Sequence, residues 1–239
     1  IERSIKMNYF ITGDIHGKLD KLIEFKEKFK NTMDFNNVTV IILGDCAFNF
    51  YLNKTDRKRK TEANALGFTI LNIKGNHELH ADKIDSYKMK QWNGAPVYYE
   101  EEFPNLLFAK DGEIYELNDK KVFVMGGAYS VDKYYRILRG WTWFDSEQPD
   151  EDTKKFAIEN LEKNNWNVDV VLTHTAPLKA EPVHLFLSQI DQSTVDKTTE
   201  IFLDDISNKL KFDRWYFGHY HGEWDFDKYH LMFNSWVEL

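Results

Sequence analysis

The chain has 239 residues, with 31 Lys and Arg against 39 Asp and Glu, a formal net charge of −8. At 42% hydrophobic and 29% charged residues it is neither a disordered nor a collagen-like chain, and it is long enough to bury a large core. The acidic balance disfavours indiscriminate nucleic-acid binding, which needs surplus Lys and Arg to displace counterions, though it leaves room for a local basic patch.

The first apolar run, Met7 to Thr12, breaks at Gly13-Asp14-Ile15-His16-Gly17. Leu19, Leu22, Ile23, Phe25 and Phe29 follow at helical spacing. The unit repeats: Val38 to Leu43 is β-branched and apolar and ends in Gly44-Asp45, and a polar segment, Asn53 to Asn64, leads into a helix. The third run, Phe68 to Ile73, ends in Gly75-Asn76-His77-Glu78. Strands alternating with helices imply βαβ units and a largely parallel sheet, buried on both faces. In such sheets functional groups sit on loops beyond the carboxyl ends of the strands, where all three polar clusters fall.

The middle of the chain differs. Val97 to Glu101, Leu106 to Ala109, Glu113 to Leu117 and Lys121 to Met125 are short runs separated by turn signals, which predict antiparallel hairpins. After Gly126-Gly127 a long aromatic loop runs from Tyr129 to Gln148. Pro149-Asp150-Glu151-Asp152 opens a helix that extends to about Asn164. Val168 to Thr173 is a strand ending in His174, Thr198 to Leu210 a helix, and Trp215 to Phe217 a strand ending in Gly218-His219-Tyr220-His221, with final strands in the tail. The pattern alone gives one two-layered α/β domain over residues 7–239. Met7 is read as the native start, with residues 1–6 preceding it.

The single cysteine, Cys46, excludes a disulfide-stapled scaffold and reads as a small buried residue. No apolar run approaches the roughly 20 residues needed to span a bilayer. The first residues lack the apolar stretch of a signal peptide, so a cytoplasmic location is expected.

Five of the eight histidines, His16, His77, His174, His219 and His221, directly follow a predicted strand, as do Asp14, Asp45 and Asn76. A mixed set of carboxylate, amide and imidazole ligands suits divalent Mn, Fe, Zn or Co. Asp14 and His16, two apart, can share one side of an extended segment, as can His219 and His221. Asp45 can bridge two cations, giving the two-metal arrangement that clamps phosphoryl oxygens. Taken singly, each has a plainer reading: Asp14 and Asn76 as helix caps, His174 as a hydrogen-bonded core histidine, His219 and His221 as turn residues. His80, His184 and His230 carry no assigned chemistry. The basic run Lys54, Arg57, Lys58, Arg59, Lys60 reads first as a solvated helix face and second as an anion-binding patch.

In order and at even spacing, 31 residues from Asp14 to Asp45 and 31 more to Asn76, these strings resemble the calcineurin-like metallophosphoesterase superfamily from Met7 to His221. The resemblance implies a four-layer α/β/β/α sandwich with a dimetal site between its halves. It implies Asp14, His16 and His221 on one ion, Asn76, His174 and His219 on the other, and Asp45 bridging both, with manganese favoured. It implies a metal-bridging hydroxide as nucleophile and His77, unligated, assisting the leaving group of a phosphomonoester or phosphodiester. The strings Asp14-Ile15-His16-Gly17 and Asn76-His77-Glu78 are similar to those of serine/threonine protein phosphatases. The Asp and Arg that follow the second motif there are replaced here by Cys46-Ala47-Phe48-Asn49. The turn Gly126 to Ser130 and the loop after it resemble small bacterial and phage members. In that loop Arg136 is the candidate phosphate contact, and its aromatic residues could wall a pocket. Two other readings stay open: a nuclease or cyclic-nucleotide phosphodiesterase, expected to show a groove lined by the basic run, and a non-catalytic scaffold on the same fold, expected to lack ligands.

Overall fold

The structure, a computed structural model, describes residues 6–239, so residues 1–5 of the segment preceding Met7 lie outside it. β1 (Asn8–Thr12), β2 (Val38–Ile42) and β3 (Thr69–Asn72) run parallel, with Phe10, Val40 and Ile70 in register. β4 (Lys88–Trp92), β5 (Ala95–Tyr99) and β6 (Leu106–Ala109) form an antiparallel meander joined to β3 through β6. The two-residue β13 (Val237–Glu238) closes the other edge beside β1, making seven strands. A second sheet of six contains β7 (Ile114–Leu117), β8 (Lys120–Met125), β9 (Val170–Thr173), β10 (Arg214–Phe217), β11 (Trp224–Phe226) and β12 (Tyr229–Leu231), in the order β11-β12-β10-β9-β8-β7.

Side-chain alternation along the central strands sorts residues into three apolar layers. Tyr9, Ile11, Ile41 and Leu43 from the first sheet meet Val122, Val124, Leu172 and Tyr216 from the second. Their neighbours Phe10, Val40 and Ile42 point outward onto Leu22 and Phe25 of α1 (Asp20–Phe29) and Ala63 of α2 (Lys54–Asn64). On the far side Phe123, Val171 and Trp215 meet Leu161 of α4 (Glu151–Lys163) and Leu203 and Ile206 of α5 (Thr198–Lys209). Each such burial is worth roughly 1.5–3 kcal/mol. A strand buried on both faces shows no polar alternation, which is why these runs read as continuously apolar. The result is four layers, α/β/β/α, not the two that strand–helix alternation alone suggests.

Other local readings change too. Residues 54–64 are themselves the helix α2, capped by Asn53 and almost entirely polar. The runs Leu106–Ala109 and Ile114–Leu117 do not pair: they lie in different sheets, and Asp111-Gly112 is the crossing between them. The aromatic loop contains a short helix, α3 (Lys133–Arg139). Asp14 caps no helix, since α1 begins at Asp20 with Leu19 at its N-cap position. No α-helix follows Asn76 directly. No helix among the described residues is long and apolar enough to cross a membrane.

Candidate metal centre

The carboxyl ends of β1, β2 and β3 in one sheet and of β9 and β10 in the other meet along one edge of the sandwich. Asp14, His16, Asp45, Asn76, His77, His174, His219 and His221 all sit on the turns that leave those ends. Asp14, Asp45, Asn76 and His174 are buried, with exposures of 3% or less. The turns are tight. His16, Asp45, His219 and His221 hold left-handed backbone, with φ of 47°, 50°, 70° and 50°. Such conformations cost energy for residues with a side chain and concentrate at functional sites. Two glycines show how close the packing is: a Cβ on Gly44 (φ 98°) would lie 2.0 Å from the His174 ring, and one on Gly75 would lie 2.0 Å from Asp45 Oδ1.

The groups form overlapping clusters. Asp14, His16 and His221 converge; so do Asp14, Asp45 and His174; so do His16, Asp45 and His77. His16 Nε2 and His221 Nε2 lie 2.8 Å apart, and His221 Nε2 lies 3.2 Å from Asp14 Oδ2. That carboxylate oxygen is buried and has no donor in hydrogen-bond geometry. Across the centre His174 Nε2 lies 2.8 Å and His219 Nδ1 3.1 Å from Asn76 Oδ1. The His174 Nδ1–H donates to the Leu43 carbonyl at 2.7 Å, so its Nε2 is the ring atom left to face inward. Asn76 Nδ2 donates to Ser130 Oγ at 2.8 Å, which turns Oδ1 toward the histidines. Glu147 in turn accepts from the Ser130 backbone N–H at 3.2 Å and from Trp143 Nε1 at 2.9 Å. The Gly126–Ser130 turn and the aromatic loop thus support Asn76 from behind, a role that no motif in the sequence signals.

The electrostatics match. Burial alone would raise the Asp14 carboxyl, but the close approach of the His221 ring, followed by the pull of His174 and His16, outweighs it and holds Asp14 below its ordinary value. Asp45 is likewise lowered, the pull of His174 and His77 exceeding burial. Burial depresses His219 to about 3, keeping the ring neutral with a free lone pair. Oxygen and nitrogen lone pairs aimed at one another, with an orphaned carboxylate oxygen among them, fit divalent cations of the Mn, Fe, Zn or Co type.

His77 stands at the rim, its ring edge-on to His16 at 5.5 Å between centroids. Its backbone N–H donates to Asp45 Oδ1 at 2.8 Å. The structure brings Arg136 of α3 to it: Arg136 Nη2 contacts His77 Nδ1, while Nε donates to Asp132 at 2.7 Å and Nη1 to the Thr142 carbonyl at 3.2 Å. Of the basic run, Arg59 reaches the turns of the centre: it lies against Gly17, and its Nη1 donates to the Ala47 carbonyl at 3.3 Å. Arg57 pairs with Glu102, Lys58 with Glu62, Arg59 with Asp56 and Lys60 with Glu100. None of its five members lines the cavity of about 490 Å³ that opens onto Asp45, Asn76, His77 and His219. A larger cavity, about 670 Å³, lies around Lys74, His80 and Asp111 and includes none of the eight residues above. Cys46 is a buried free thiol that donates to Glu78 at 2.8 Å, and burial pushes its pKa up, so it is an inert packing residue.

No curated protein matches this chain. A solved crystal structure is similar over 95% of this chain and 90% of its own, at 12% identity and a TM-score of 0.51, a likeness of fold alone. The family of calcineurin-like phosphoesterases matches residues 7–223, nearly the whole described chain and every turn of the centre. This chain belongs to the calcineurin-like phosphoesterase family.

Proposed function

We propose that the chain hydrolyses a phosphate ester at a centre of two divalent cations, manganese favoured. In this reading Asp14, His16 and His221 would hold one ion, Asn76, His174 and His219 the other, and Asp45 would be shared by both. The observation that carries it is convergence: inward-facing polar atoms 2.8 Å apart at His16 and His221 and again at His174 and Asn76, with a buried Asp14 oxygen left unpartnered between the sheets. Cations bound there would supply Lewis-acid charge that lowers the pKa of water and neutralises phosphoryl oxygens.

The chain's own groups do the rest. A guanidinium only donates, and Arg136 Nη2 lies closer to Nδ1 than to Nε2, which is 3.3 Å away, so Nδ1 is assigned as the acceptor and the ring proton of His77 as on Nε2. Burial, followed by the Arg136 charge, lowers the His77 pKa against the pull of Asp45, so the ring is neutral. It therefore acts by donating Nε2–H to the leaving oxygen as charge develops there. A water oxygen bonds to phosphorus and releases a proton to solvent, the ester P–O bond breaks, and the leaving oxygen, stabilised by the hydrogen bond from His77 Nε2–H, takes its proton from solvent. Arg136 is a positioning residue, and its pairing with Asp132 leaves it little free charge for a second phosphate.

The test is turnover of p-nitrophenyl phosphate and its bis-ester by manganese-loaded protein. Hydrolysis should require the metal, and His77→Ala should reduce it about 100-fold or more with metal content unchanged. Undiminished activity in that variant would contradict the assignment.

A further inference from the structure

Resting on the hydrolytic reading above, we infer that the ester this centre takes carries an apolar aryl or alkyl group seated in the cavity beside His77, and is not a nucleic-acid strand. The cavity of about 490 Å³ falls in the range of small-molecule sites. Part of its lining is the polar groups of the centre, and a larger part is apolar: Val131, Leu185, Phe186, Leu187, Ile190 and Val195. Leu187 is 52% exposed and Leu185 and Val131 are each 37% exposed, so this apolar part meets water. Apolar side chains gathered around a concave site gain by exchanging that water for an apolar ligand. The apolar part is also fixed. Phe186 stacks on Tyr220 with centroids 6.0 Å apart, and the Tyr220 hydroxyl is held 3.0 Å from Thr175 Oγ1.

Charge points the same way. Among the described residues no Lys or Arg lines the cavity. Beyond Asp45, its acidic lining is Asp132, Glu181 and Glu200, the last buried and raised to about 7. Asp132 pairs with Arg136 and Glu181 with Lys197, so those two cations are already engaged. A strand running through the cavity would need basic groups tracking its further phosphates, and the cavity lining offers none among the described residues. One phosphoryl group on the metals and an uncharged apolar remainder fit both parts of the lining.

Non-hydrolysable methyl-, butyl- and octylphosphonate, titrated calorimetrically into the manganese-loaded protein, test this. Each buried methylene is worth roughly a fourfold gain in affinity, so butylphosphonate should bind at least about tenfold tighter than methylphosphonate. Leu187→Glu, at a half-exposed position and checked by its melting curve, should flatten the series while methylphosphonate binding persists. A flat series in the unaltered protein, or an oligothymidylate that binds more tightly than butylphosphonate, would overturn the apolar pocket and leave hydrolysis standing. Absence of metal-dependent hydrolysis of any ester would overturn the hydrolytic reading instead, and the phosphonate series would still decide this one.

Discussion

His174 is fully buried, its Nδ1–H held by a backbone carbonyl and its Nε2 set beside Asn76; across the centre, His221 is 49% and His16 31% exposed, and they meet ring nitrogen to ring nitrogen. Behind Asn76 stands a chain of support through Ser130 and Glu147 to Trp143. Behind His221 lies the face of Phe233, 5.0 Å away. The first half is therefore preorganised before any ion arrives, and its ligands lose little freedom on binding. In the proposed centre the second half would be ordered by its ion. One ion should bind tightly and exchange slowly, the other weakly and fast, a difference set by the hydrogen bonds behind the ligands and not by the ligands' identity.

The largest effect is expected at the residue both halves share. Asp45→Asn should cut kcat/KM on p-nitrophenyl phosphate by about a thousandfold or more, because it weakens both ion positions and the anchor of the His77 backbone. Elemental analysis of two further variants separates the halves. His174→Ala should lose the tightly held ion, whereas His221→Ala should keep one ion per chain and weaken the other by about 10–100-fold. Equal losses in both variants would erase the distinction. At the rim, Arg136→Gln should lower kcat by about tenfold or more with KM and metal content unchanged, and should shift the pH profile, since His77 loses both its tautomer lock and a neighbouring positive charge. The smallest effect concerns Glu200, behind the buried half, which accepts from Thr175 at 2.8 Å and is raised by burial to about 7 from an ordinary 4.5. The folded chain keeps a proton that the unfolded chain releases between about pH 4.5 and 7, so this group removes stability as pH rises through that window and removes no more above it. Glu200→Gln should raise Tm by about 5 °C at pH 8 and leave it unchanged at pH 4, where the glutamate is already neutral. An equal shift at both pH values would show that this side is not shielded from water.

The residues of the centre were readable from sequence because each follows a buried strand, and buried parallel strands announce themselves as short apolar runs. What supports the centre was not readable. α3 carries Tyr134, Ile137 and Leu138 outward and tucks Arg136 beneath His77, so its apolar spacing looks like a loop. β4 is an edge strand of mostly exposed residues, Lys-Met-Lys-Gln-Trp, whose lysines protect an open edge and hide the strand pattern. α2 has no apolar face to detect; its cap at Asn53 and ion pairs to Glu100 and Glu102 hold it in place. Sheet membership was also invisible, because Asp111-Gly112 looks the same whether the chain turns back on itself or crosses to the other sheet. Ser130 and Glu147 act through contacts 54 and 17 residues distant in sequence, a separation that local patterning does not register.

Electron paramagnetic resonance of the protein titrated with manganese tests the dinuclear centre most directly. The expected result is a sequential pair of bindings per chain, an isolated Mn²⁺ signal first and an exchange-coupled signal once the second, exposed position fills. A signal that stays that of isolated ions at every loading, with no coupling between them, would contradict it.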